Sequence, residues 1–161
     1  PTDSNPTVRV DPPTSTVQSG DDFTVTVMID DAENLGGFEF TMVYSPTVVH
    51  VDDLGLGDFL ESTGRTAVTV GPDIDNGIGS VDFGGATFGT MPGPEGTGAL
   101  ATITLTAVYS GHSGLVLDGV QVGDINGAPQ TLAAVQHGAV DVEGGETEVY
   151  LPLVVRNFPA Q

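Results

Sequence analysis

The chain has 161 residues, with 22 acidic side chains against three arginines and no lysine, and a formal charge of −19. A field of that sign repels nucleic-acid phosphates and anionic lipid surfaces, which removes both as partners. With no cysteine there is neither a disulfide framework nor a thiolate metal site, and no apolar run is long enough to span a membrane as a helix.

Pro1 to Thr7 is a polar leader, and Thr7-Val8-Arg9-Val10 reads as a first short strand stopped by Asp11-Pro12-Pro13. Phe23 to Asp30 alternates, with Phe23, Val25, Val27 and Ile29 on one face. Phe38, Phe40, Met42 and Tyr44 repeat that pattern within Gly37–Tyr44, as do Ile103, Leu105, Ala107 and Tyr109 within Ala101–Tyr109. Alternation of this kind belongs to antiparallel sheets with one buried and one wet face. Shorter strands are expected at Thr47–Val51, Ala67–Val70, Ser80–Phe83, Leu115–Val122 and Gly138–Val142. The turn clusters Asp75-Asn76-Gly77 and Asn126-Gly127 separate some of them, and Gly89 to Gly98 reads as a long loop. Glycine (23) and proline (11) recur too often for long helices. The expected fold is therefore all-β, a sandwich of about nine strands.

Several short motifs then fall in a telling order. Gly20-Asp21-Asp22-Phe23 comes first, followed by Asn34-Leu35-Gly36-Gly37-Phe38-Glu39-Phe40, Tyr44-Ser45-Pro46 and Gly57-Asp58-Phe59-Leu60. Gly98-Ala99-Leu100-Ala101-Thr102-Ile103 and Gly123-Asp124-Ile125-Asn126-Gly127 complete the set. The order resembles the cohesin modules of cellulosomal scaffold proteins over Val8 to Val142. The resemblance implies a secreted jelly-roll sandwich with no active site, one face of which binds dockerins, small calcium-loaded helical modules. Glu39 and Thr41, which alternate outward between core residues, are the candidates on that exposed face. A chain that opens at Pro1 with no signal peptide reads as a mature protein, which places it outside the cell or on its surface.

Residues 143–145 form a short linker, and 146–161 then carry the most apolar stretch of the chain. Val149, Tyr150, Leu151, Leu153, Val154, Val155 and Phe158 would each gain roughly 1.5 to 3 kcal/mol on full burial. Pro152, lacking an N–H, suits an edge strand. Two homes are open to this extension strand: an edge of its own sandwich, or a neighbouring copy in the manner of strand exchange. The second makes the chain a self-assembling extracellular subunit, since head-to-tail exchange generates filaments. That is the leading reading from sequence, with a dockerin-like partner as the alternative.

Catalytic signatures are missing. His50, His112 and His137 sit at no ligand spacing, and no nucleophile elbow, zinc-protease or phosphate-loop motif occurs. Nothing selects a carboxylate pair for glycoside hydrolysis, Glu39 and Glu61 included. Calcium is the one cofactor with candidate ligands, namely Asp73, Asp75, Asn76 and Asp82, although an ordinary Asn-Gly turn explains that cluster equally well. Carbohydrate-binding sandwiches present rows of exposed aromatics. This chain has no tryptophan, and alternation sends most of its aromatics inward.

Overall fold

The structure is a computed structural model that describes residues 5–144. Within them twelve strands follow in order: β1 (Thr7–Asp11), β2 (Thr14–Gln18), β3 (Asp22–Ala32), β4 (Leu35–Val43), β5 (Val49–Leu56) and β6 (Thr66–Asp75). The second half holds β7 (Ser80–Phe88), β8 (Gly96–Ala107), β9 (Gly111–Asp124), β10 (Pro129–Gln130), β11 (Ala134–Gln136) and β12 (Gly138–Glu143). One sheet runs β11-β1-β3-β8-β5; the other runs β2-β12-β9-β4-β7-β6, with β10 beside β9. All the described regular structure is β, as expected.

Alternation fills the space between the sheets. From the first sheet come Val8, Val10, Val25, Val27, Ile29, Ile103 and Leu105, all buried. The register puts Val25 opposite Ile103 and Val27 opposite Ala101, so two alternating strands bury their apolar sets together. The second sheet contributes Phe38, Phe40, Met42, Phe83, Leu115, Leu117 and Val140. Phe38, Phe40 and Phe83 form a triad with ring centroids 5.9 to 6.3 Å apart. Phe59, outside any strand, packs its ring directly over Gly98. A Cβ there would lie 2.1 Å from that ring, which explains why a glycine opens this segment of β8.

Several expectations change. The first strand begins at Thr7, as expected, and runs one residue past Val10 to Asp11. After Pro12-Pro13 the chain crosses to the other sheet as β2, a strand whose only sizeable apolar residue is the half-buried Val17. Tyr109 does not point inward. β8 ends at Ala107, and Tyr109 is 71% exposed in the turn that follows. The loop expected to run to Gly98 ends earlier, with β8 starting at Gly96.

What orders that loop is Arg65, buried although charged. Its guanidinium donates to the Thr87 hydroxyl (2.8 Å) and to the carbonyls of Thr87 (3.1 Å), Gly89 (3.1 Å) and Met91 (2.7 Å). Thus Arg65 ties the approach to β6, the end of β7 and the 89–91 segment into one unit. Replacing it by methionine keeps the volume and strands those acceptors. Arg65→Met should lower unfolding stability by about 2 to 3 kcal/mol with an unchanged denaturant slope, measured by urea unfolding.

Candidate partner-binding face

Every exposed large apolar side chain among the described residues lies outside β1, β3, β5 and β8. The outer face of the shorter sheet is instead lined with hydroxyls. Thr24 stands opposite Thr104, and Thr26 opposite Thr102. Arg9 is occupied there, donating to Asp30 at 2.7 Å, and this bond holds the Asp30 carboxyl below its ordinary range against a smaller opposing effect of burial. The apolar residues gather on the longer sheet and at the two ends of the sandwich.

On that sheet the register sets outward side chains in rows across β9, β4, β7 and β6. Asp118, Thr41, Asp82 and Asp73 make one row, and the Thr41 hydroxyl donates to Asp82. Gln121, Glu39, Gly84 and Val70 make the next, with Ala86 and Val68 beyond. Gly84 gives this face its relief. A Cβ there would press on the Phe38 carbonyl oxygen at 2.9 Å, so the floor between Glu39 and Val70 stays bare. The result is an open groove of about 640 Å³, with Glu39, Thr41, Asp73 and Asp82 on its polar side and Val68 and Val70 on its apolar side. Val70 is 76% exposed and Val68 54%.

Glu39 and Thr41 therefore stand where alternation put them, outward on β4 and on this groove. Sequence reading missed Val68, Val70 and the bare Gly84. Val68 and Val70 carry ordinary strand chemistry, and only the pairing of β6 as the sheet's last strand leaves them open. No described cation answers the carboxylates: of the two described arginines, Arg9 is paired on the opposite face and Arg65 is buried elsewhere.

The four calcium candidates do not form a cradle. Asp73 and Asp82 face each other across β6 and β7. The Asp75 carboxylate accepts from the amides of Gly77 (2.9 Å) and Ile78 (3.2 Å), shaping the turn itself. Asn76 turns the other way. Its carboxamide accepts from the Val51 amide (2.9 Å) and the Tyr44 hydroxyl and donates to the Val51 carbonyl (3.0 Å). Burial pushes the Tyr44 phenol up, which keeps it protonated as the donor. Among the described residues no group of three or more His, Cys, Asp or Glu is placed to hold a metal ion. The histidines are likewise apart: His112 pairs with Asp141 at 2.7 Å on the surface, and His137 accepts from the Leu117 amide. Glu61 accepts from the Ala67 amide, away from Glu39's groove.

The comparisons agree with this architecture. The family model for the cohesin domain matches residues 8–142. A non-cellulosomal cohesin from the archaeon Archaeoglobus fulgidus superposes with a TM-score of 0.66 at 19% identity, over 89% of this chain and 94% of that one. A cohesin solved in a type I cohesin–dockerin complex from Clostridium thermocellum gives 0.69 at 15% identity, over 86% and 99%. A type II cohesin from Acetivibrio cellulolyticus gives 0.65 at 19%, over 85% and 94%. No curated protein sequence matches. The chain belongs to the cohesin family.

The Asn76 clamp joins the β6–β7 turn to β5, so its loss is felt by the fold. Asn76→Ala should cost about 1 to 3 kcal/mol in chemical unfolding, by the same amount with calcium as with a chelator present.

Proposed function

We propose that this chain is a non-catalytic, extracellular protein-binding module that receives a dockerin-type partner on the outer face of the longer sheet. The observation that carries the reading is the groove over Gly84, where exposed valines lie beside uncompensated carboxylates on a rigid sheet. A helical partner presenting one or two cations between aliphatic side chains matches that surface, with the charges setting approach and register and the valines supplying burial. Membership of the cohesin family supports it, as does the solution of two relatives as complexes with dockerins. An exterior location is in keeping with that family and with an acidic surface that stays soluble.

The test is calorimetric titration with calcium-loaded dockerin modules from the organism that encodes the chain. Reversing the groove's charge with Glu39→Lys and Asp82→Lys should weaken binding about 10- to 100-fold, while Asp53→Lys on the shorter sheet leaves it unchanged. Equal binding by all three proteins removes this face from consideration.

A second reading has its own observation. β12 pairs with both β9 and β2, so among the described residues both edges of β12 are already taken by Glu143. The apolar segment from Val149 to Phe158 lies outside the described residues, and its sequence supports its use as an assembly strand between copies. If so, the full chain should sediment as a concentration-dependent series of oligomers, and a chain ending at Gly145 as a monomer. A full chain that stays monomeric at every concentration eliminates self-assembly.

A further inference from the structure

The outward positions of β7 form one column: Asp82, Gly84, Ala86 and Phe88. Across from them on β6, Gly84 faces Val70, Ala86 faces Val68 and Phe88 faces Thr66. Phe88 is therefore the next outward side chain beyond the groove, with Val68 as its diagonal neighbour. It is 56% exposed, whereas Phe38, Phe40, Phe59 and Phe83 are buried and Phe23 partly so. A solitary exposed apolar residue is ordinary, but this one extends a surface on which Val68 and Val70 are already bare.

The backbone on both sides of Phe88 is held. Arg65 donates to the Thr87 hydroxyl and carbonyl before it and to the Gly89 carbonyl after it. The Thr87 hydroxyl in turn donates to the Gly36 carbonyl of β4 at 3.2 Å. A buried arginine thus braces the one described phenylalanine that stands in solvent. An aromatic ring presented from a rigid strand loses little freedom when it is covered, which suits it to anchoring a partner.

We infer that Phe88, with Val68 beside it, is an apolar anchor point for the same dockerin-type partner and takes a large aliphatic or aromatic side chain from it. The inference rests on the proposed use of this face and adds a contact outside the groove itself.

Charge supports that occupant over a purely apolar one. Asp73 and Asp82 stand toward the other end of the same two strands. No charged residue lies between Asp82 and Phe88 on β7, or from Thr66 to Val70 on β6. The face is thus acidic at one end and apolar at the other. The six residue steps from Asp82 to Phe88 cover roughly 20 Å. A helix lying along β7 spans that distance in about 13 residues. The matching partner carries a cation and a large apolar side chain at that separation on one helix face.

Because the chain has no tryptophan, Phe88→Trp introduces a single fluorescent reporter. In the free full-length protein its emission should be that of an indole in water, and it should shift to the blue when a calcium-loaded dockerin from the same organism binds. Tyr109→Trp, in the β8–β9 turn beside Val48 at the opposite end of the sandwich, should keep its emission unchanged. In calorimetric titration Phe88→Ala should bind about 10- to 100-fold more weakly with wild-type thermal unfolding, and Phe88→Leu should recover most of the loss. Dockerin binding that is equal for Phe88→Ala and wild type overturns the anchor and leaves the groove standing, whereas a wild type that binds no dockerin overturns both. A free Phe88→Trp protein whose emission is already blue-shifted, and moves to the red on dilution or in a chain ending at Gly145, puts another copy or the chain's own C-terminal segment on Phe88 and overturns the partner as its occupant.

Discussion

The structure depends on one constraint: every strand that separates the two sheets must spend alternate residues on a shared interior. Because aromatics are few, that interior is made largely of Val, Leu and Ile, with the Phe38, Phe40 and Phe83 rings as its bulkiest element. Side chains of that size interlock closely and leave little room for register slip, since a slip of one residue on β4 would turn its phenylalanines to water. The remaining alternate positions are then free of structural duty. On the longer sheet they are Glu39, Thr41, Asp82 and Val70, which is why a binding surface can be written there without disturbing the fold.

The two outer faces have been used differently. Cross-strand threonines on the shorter sheet satisfy their surroundings with hydroxyls, and Arg9 and Asp30 neutralise each other beside them. The longer sheet keeps its carboxylates unanswered and its valines bare. An acidic groove with no described cation beside it adds to the self-repulsion of a chain charged −19. The one described cation on either outer face, Arg9, thus lies on the shorter sheet, where Asp22 and Asp52 share the Thr106 hydroxyl.

Much of this was legible from residue order. Strands β3, β4 and β8 announce themselves through strict alternation, and the motif glycines mark where backbone and ring approach closely, as at Gly98 under Phe59. The outward placement of Glu39 and Thr41 follows from the same alternation. What could not be read depends on pairing between distant segments. β2 is too polar to stand out and becomes a strand because β12 lies alongside it. Tyr109 fits the alternation of β8 but falls past the point where the sheet ends. Asn76 looks like a turn residue or a cation ligand until Val51 and Tyr44 are brought to it from another strand. Arg65 is isolated among small and polar neighbours in the sequence, with nothing to mark it as a buried anchor.

The two ends of the domain meet in an unusual way for an otherwise antiparallel sandwich. Two pairings are parallel, and each joins a strand from the beginning of the described chain to one from its end: β1 with β11 in one sheet, and β2 with β12 in the other. Tension applied through both ends slides such strands lengthwise past each other. Their cross-strand bonds are then strained together, where a hairpin pulled from its open end would yield one rung at a time. A module pulled at both flanks is in this way a stiff link.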